Sequence, residues 1–215
     1  MGFFRRRRGY DRKFLLTEAC DLQRRNKHKR AVILLRKILT AEPNNVEIHA
    51  LIAPSLAELG LEFCAWTSYE HVTAALSRDG KKQSALDYYC DATTRMPRHL
   101  EAWASRVALT RSMGRRDDAR QILESALPHF RRRATRYPLI SLLRCLLDIE
   151  PGNKCAALEL AYLLSKTSQK YEALVLLSKL ADASNGSFLQ NVRRTQWRIE
   201  PSLAHSWLWL RSCIA

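Results

Sequence analysis

Residues 31–45 read AVILLRKILTAEPNN, and residues 85–99 read ALDYYCDATTRMPRH. The two stretches share a pattern of apolar residues followed by a proline: Ala31, Leu35, Ile38 and Pro43; Ala85, Tyr89, Ala92 and Pro97. Apolar residues at positions i, i+4 and i+7 lie on one face of a helix, and a proline soon afterwards ends it. Because small residues let two helices approach closely, the pattern predicts packed helix pairs.

The same helical pattern recurs in part further along the chain, as Ala119, Leu123 and Ala126 and as Ala173, Leu177 and Leu180. No alternation typical of a strand persists anywhere. With glycine and proline turn signals as boundaries, the sequence predicts helices over 11–25, 28–41, 45–59, 62–77, 82–95, 99–113, 116–132, 136–149, 153–167 and 169–184, a short piece near 188–199, and a last helix over 202–214.

Four segments of 34 residues share a helix–turn–helix pattern: 12–45, 66–99, 100–133 and 154–187. In the first segment the matching residues are Leu15, Ala19, Leu22, Ala31, Leu35 and Pro43. This pattern resembles that of the tetratricopeptide repeat family. The resemblance implies a superhelix of antiparallel helix pairs that binds another protein or peptide and performs no catalysis. Some members bind chaperone C-termini through Lys and Asn, but Leu16 and Cys20 stand at those positions here.

The chain departs from a simple tandem array of such pairs. Segments 46–65 and 134–153 are left over, each about the length of one helix. Features also recur at a spacing of 54 residues: Pro43, Pro97 and Pro151; Gly60 and Gly114; Ala65, Ala119 and Ala173. We therefore expect three-helix units, built by the addition of one helix to each pair.

The 215 residues carry a formal net charge of +15, and the charge is uneven. Basic residues crowd the first thirty positions, and a second cluster runs from Arg111 to Arg136. Such clusters attract acidic proteins, nucleic acid or anionic lipid. We expect the partner to contact these residues: Arg5, Arg6, Arg7, Arg8, Arg24, Arg25, Lys27, Lys29, Arg111, Arg115, Arg116, Arg131, Arg132 and Arg133.

Patterns that indicate catalysis or metal binding are absent from the sequence. The six His and six Cys are dispersed, without HExxH or CxxC, and no phosphate-binding glycine loop occurs. Phe14, Leu15 and Leu16 form an apolar run too short for a signal peptide or a membrane span. We therefore expect no enzyme, no cofactor, reduced thiols and a cytoplasmic location.

The sequence thus predicts an all-α, right-handed superhelix of about 11 to 12 helices. We expect a basic arm over 1–10, a repeat domain over 11–187 and a capping segment over 188–215. The predicted function is a protein-interaction scaffold for an acidic partner. Binding of nucleic acid or of an anionic membrane is the alternative.

The last predicted helix carries apolar residues on one face: Leu203, Trp207, Leu210 and Ile214. Because the end of a repeat array exposes an apolar flank, this face is expected to cap the array. Docking of a partner, or of a second copy of the chain, is the alternative for this helix.

Overall fold

The computed structural model describes residues 11–214, which contain twelve α-helices and no strand. Two compact units make up this part of the chain; the first ends at Gly114 and the second begins at Arg115. The predicted basic arm, residues 1–10, lies outside the described residues, as do Ala215 and the side chain of Ile214.

In the first unit, each helix packs against the next one along the chain, and the third also contacts the fifth. A core of buried aliphatic and aromatic side chains, among them Leu35, Ile52 and Tyr69, joins these helices. The six helices are α1 (Arg12–Arg24), α2 (His28–Ala41), α3 (Val46–Glu58), α4 (Glu62–Arg78), α5 (Lys82–Arg95) and α6 (Leu100–Ser112).

The second unit continues the same scheme, with successive helices packed together and its third helix also in contact with its fifth. Leu177, Leu180 and Val192 belong to its core. The six helices are α7 (Arg116–Ala126), α8 (Arg136–Ile149), α9 (Lys154–Ser165), α10 (Lys170–Asp182), α11 (Gly186–Ile199) and α12 (Leu203–Ile214).

The helical pattern read from residues 31–45 is confirmed as a buried face. Ala31, Leu35 and Ile38 have no solvent exposure on α2, and the recurrences at 119–126 and 173–180 are buried on α7 and α10. Trp66 of α4 and Trp103 of α6 are also core residues. Buried alanines at these positions let neighbouring helices pack closely, and larger residues fill the space between them.

Helix starts recur every 54 residues. The starts of α2, α5 and α8 are residues 28, 82 and 136; those of α3, α6 and α9 are 46, 100 and 154; those of α4, α7 and α10 are 62, 116 and 170. The expected three-helix unit is therefore present. We call α2–α4 the first repeat, α5–α7 the middle repeat and α8–α10 the third repeat.

Two kinds of turn set this spacing. The α1–α2 turn and the α4–α5 turn contain Asn26 and Gly80, which lie 54 residues apart and both adopt positive φ, 56° and 75°. The turns before α3 and α9 instead contain Glu-Pro-x-Asn. There Asn45 and Asn153 cap the helix, accepting hydrogen bonds from the amides of Ile48 (3.2 Å) and Ala156 (3.0 Å).

Two predicted helices differ from the observed ones. The helix expected over 116–132 ends at Ala126 and continues as a 3-10 turn over Leu127–Phe130. Pro128 explains the change, because proline donates no backbone hydrogen bond and its ring crowds the carbonyl four residues earlier. The short piece expected near 188–199 is instead a full helix, α11, of 14 residues.

Candidate partner-binding site

A surface pocket of about 480 Å³ lies beside the α1–α2 turn. The start of α2 forms one side of it, and Leu59, at the end of α3, contributes from the other. Four of its six lining side chains are basic, and none is acidic: Asn26, Lys27, His28, Lys29, Arg30 and Leu59. We call this feature the basic pocket.

Local sequence explains the shape of the basic pocket. Asn26 adopts positive φ and reverses the chain between α1 and α2. On the protein side, His28 Nδ1 lies 3.2 Å from Ser55 Oγ, and Gln23 donates to the same oxygen at 2.7 Å. The His28 contact holds the start of α2 against α3, and the Gln23 hydrogen bond joins α1 to α3, while Lys27, Lys29 and Arg30 remain exposed.

The cations of the basic pocket have no ion-pair partner among residues 11–214. Lys27, Lys29 and Arg30 make no salt bridge there, and neither does the adjacent Arg25; Arg24 pairs with Asp21 at 3.2 Å. Unpaired positive charges that surround a concave surface raise the local concentration of anions. The pocket is therefore suited to a negatively charged group.

Several carboxylates of the first unit form ion pairs with two arginines away from the basic pocket. Arg12 on α1 binds Glu42 at 3.2 Å and Glu47 at 2.9 Å. Arg95 on α5 binds Glu58 at 2.5 Å and Asp91 at 2.8 Å. Except for Arg95–Asp91, which lies within α5, these pairs join distant parts of the chain, and none of them supplies a counter-charge to the basic pocket among residues 11–214.

The Arg95 cluster extends into the core through Tyr69. The Tyr69 hydroxyl donates to Asp91 at 2.5 Å while its ring is fully buried. Burial, reinforced by the Asp91 carboxylate, raises the pKa of Tyr69 far above its usual value. The group therefore stays neutral and joins α4 to α5, so we assign this cluster to the fold rather than to a partner.

The predicted basic cluster of the second unit is partly neutralised. Arg115 pairs with Asp118 at 2.6 Å, and Arg131 pairs with Glu159 at 3.7 Å. Arg116, Arg132 and Arg133 are exposed and make no salt bridge within the described chain. In the first unit, Arg111 is likewise exposed, in the last turn of α6.

The structure thus brings Lys27 and Lys29 together in a pocket, with Arg24 and Arg25 close by along the chain. Arg5, Arg6, Arg7 and Arg8 lie outside the described residues. His28, Arg30 and Leu59 were not among the predicted contact residues. His28 and Arg30 could have been predicted, because they belong to the same run of basic residues as Lys27 and Lys29. Leu59 could not, because the packing of α3, and not its place in the sequence, brings it to the pocket.

The apolar face predicted on α12 points to solvent. Leu203, Trp207 and Leu210 are 91%, 58% and 55% exposed. Trp209, on the other side of the helix, stacks on Trp197 of α11 with ring centroids 5.7 Å apart. Helix α12 therefore packs on α11 through Trp209 rather than through its predicted apolar face.

None of the six cysteines forms a disulfide, and none is buried. Residues 11–214 contain no helix with the length and apolar character that crossing a bilayer requires. In the same part of the chain, no three His, Cys, Asp or Glu side chains lie close enough together to hold a metal ion.

A scan against protein-family models finds no match, and a search of curated proteins finds none either. Solved structures of helical-repeat proteins do match. PilF of Pseudomonas aeruginosa is 16% identical, with a TM-score of 0.33, over 93% of this chain and 96% of its own. A tetratricopeptide repeat protein of Parabacteroides merdae is 16% identical, with a TM-score of 0.30, over 94% of this chain and 90% of its own. A thermophilic tetratricopeptide repeat protein of Thermus thermophilus is 18% identical, with a TM-score of 0.28, over 95% of this chain and 100% of its own.

Proposed function

We propose that this protein is a non-enzymatic scaffold that binds an acidic segment of a partner protein, and that the basic pocket is a principal contact. The observation that carries the proposal is the pocket itself. Lys27, Lys29 and Arg30 line it without any carboxylate partner among the described residues. Glutamate or aspartate side chains of a partner would supply the missing charge.

The fold supports this role through rigidity. Lys27 is the N-cap residue of α2 and Lys29 lies in its first turn, and the buried face of this helix, including Ala31 and Leu35, packs in the core. A preorganised surface loses little conformational entropy on binding, so more of the contact energy contributes to affinity. Arg116, Arg132 and Arg133 of the second unit, together with Arg111, are further proposed contacts.

The cellular setting belongs to the same proposal. Six cysteines outside any disulfide suit a reducing compartment, and we propose that the protein works in the cytoplasm. The domain division expected from the sequence, with a basic arm over 1–10 and a terminal segment over 188–215, also remains a proposal.

The test is binding of a fluorescent Glu–Ser repeat peptide, followed by fluorescence anisotropy. Charge reversal of the pocket, Lys27→Glu with Lys29→Glu, should raise Kd about tenfold or more, because attraction becomes repulsion. The matched control is Lys81→Glu with Lys82→Glu. It changes the net charge equally at the start of α5, and Lys81 lies 54 residues after Lys27 without lining the pocket.

Ionic strength gives a second measurement on the same complex. Affinity should fall steeply as salt rises, since exposed charges are screened. Equal affinity at low and high salt would contradict the proposal. Tighter binding of generic RNA in a gel shift, or of anionic vesicles in co-sedimentation, would also contradict it. Either result would show that the basic pocket binds nucleic acid or membrane in preference to an acidic protein.

A further inference from the structure

The 54-residue repeat allows each core position to be compared with its two counterparts. Four such positions, two on each of two consecutive helices, are aliphatic in the first and third repeats and polar in the middle repeat. The aliphatic sets are Leu35, Leu39, Ile52 and Leu56 in the first repeat and Leu143, Leu147, Leu160 and Leu164 in the third. The middle repeat has Tyr89, Thr93, Arg106 and Thr110 instead.

Arg106 is the largest departure within this set. Its counterparts Ile52 and Leu160 are almost fully buried. The Arg106 side chain is half-buried on α6, and its Nη1 donates to Thr93 Oγ1 of α5 at 3.0 Å. The Thr93 hydroxyl donates its own proton to the Cys90 carbonyl at 3.0 Å, so it serves Arg106 as an acceptor.

The positive charge of Arg106 is not balanced by the protein. No carboxylate in residues 11–214 forms a salt bridge with it. Its Nε is buried and has no hydrogen-bond acceptor. The guanidinium carbon lies 5.8 Å from the centroid of the buried Trp103 ring.

Such an arrangement lowers stability. A partly buried cation without a counter-ion loses hydration that the Thr93 hydrogen bond and the Trp103 ring replace only in part, and a buried donor without an acceptor adds a further penalty. The other two repeats show that the same position accepts an aliphatic side chain. A residue that breaks the rule of its repeat and leaves its charge without a counter-ion is characteristic of a functional position.

We infer that Arg106 is an anchor for a single carboxylate of the acidic partner, separate from the basic pocket. A guanidinium presents parallel N–H donors that match the two oxygens of a carboxylate, and one positive charge matches one carboxylate. Thr93 holds the guanidinium in place from α5. The inference rests on the proposed function, because it names a second contact for the same kind of partner.

The decisive variant is Arg106→Leu, which introduces the residue found at this position in the third repeat. Its Kd for the Glu–Ser peptide should rise about 10- to 100-fold, the loss expected for a charge-assisted hydrogen bond. Its melting temperature should equal or exceed that of the wild type. Arg106→Gln keeps a polar side chain, and we expect it to lose affinity similarly.

The matched control is Arg98→Leu, an exposed arginine in the α5–α6 turn, whose Kd should change less than about threefold. A peptide with an amidated C-terminus and one with a free C-terminus distinguish side-chain carboxylates from the terminal one. A phosphoserine peptide tests for phosphate: tighter binding that depends on Arg106 would overturn the carboxylate assignment.

The outcomes separate the two proposals. If wild type binds the peptide and the Arg106 variants bind it equally well, the anchor is wrong while the scaffold proposal stands. If wild type binds no acidic peptide, both proposals fail. A drop in melting temperature for Arg106→Leu as large as that of a core deletion would show that Arg106 stabilises the fold instead.

Discussion

At the scale of single residues, charged side chains that form ion pairs within the fold differ from those that remain unpaired at the surface. Tyr69 donates to Asp91, and Asp91 in turn accepts from Arg95, so a buried ring connects to a surface ion pair. Lys27 and Lys29 make no such pairs with any other residue of the described chain, 11–214. The same side-chain chemistry therefore stabilises the fold in one place and leaves charge available to a partner in another.

The raised pKa of Tyr69 makes stability depend on alkaline pH. In the unfolded chain tyrosine ionises near pH 10.0, while in the folded protein it stays protonated to higher pH. Below pH 10 the stabilising contribution of this group is fully present. Above pH 10 the folded state binds more protons than the unfolded state, so stability falls by up to about 1.4 kcal/mol per pH unit.

Chemical denaturation at pH 9 to 11 tests this, with Tyr69→Phe as the variant. The free energy of unfolding of this variant should be about 1 kcal/mol lower than that of the wild type at neutral pH, because one hydrogen bond is missing. Above pH 10 it should fall less steeply with pH than that of the wild type. Tyr171→Phe, which removes an exposed hydroxyl, should keep the wild-type slope. Identical slopes for wild type and Tyr69→Phe would contradict the assignment.

At the scale of helices and turns, a few residues set the repeat length. Asn26 and Gly80 occupy equivalent positions and both adopt positive φ. Pro43, Pro97 and Pro151 occupy the next turn in each repeat. Most helix boundaries follow from the sequence to within two residues, because capping residues, glycines and prolines act locally. The early end of α7 does not, since the apolar pattern continues past Pro128 into the 3-10 turn.

Replacement of Gly80 by alanine isolates the backbone effect of such a turn. A Cβ there meets no atom within 4 Å, so the only penalty is the left-handed conformation at φ 75°. Gly80→Ala should therefore lower the free energy of unfolding by about 1–2 kcal/mol.

Gly152→Ala is the matched control for this measurement. It also meets no neighbouring atom, and its φ lies outside the left-handed range. This variant should be neutral or stabilised by about 0.4–1 kcal/mol, because alanine reduces the entropy of the unfolded chain. Equal effects of the two substitutions in urea denaturation would show that the turn conformation is not the cause.

At the scale of the whole molecule, the chain consists of two compact units built from one repeating element. Repeat proteins derive stability from contacts between neighbouring helices, so damage in one place propagates weakly along the chain. Truncation of a buried side chain should therefore lower amide protection mainly in the unit that contains it.

Hydrogen exchange measures this directly. Leu35→Ala should reduce amide protection in α1–α4 far more than in α9–α12, and Leu177→Ala should show the reverse. Each deletion removes a fully buried leucine and is expected to lower stability by about 2–5 kcal/mol. Ile33→Ala, on the exposed side of α2, is the control that should leave protection unchanged. A uniform loss of protection in both units would contradict repeat-like behaviour.

The sequence by itself determined the all-α class, the number and spacing of the helices and the buried faces of α2, α7 and α10, but not the face that α12 presents to α11. These follow from apolar periodicity and turn chemistry, which operate over a few residues. Only the tertiary structure decided which cations remain unpaired. Arg12, Arg95 and Arg131 each pair with a carboxylate that is distant along the chain, and the packing of α3 places Leu59 beside Lys27. Ion pairing depends on separation in space, which helical periodicity does not encode.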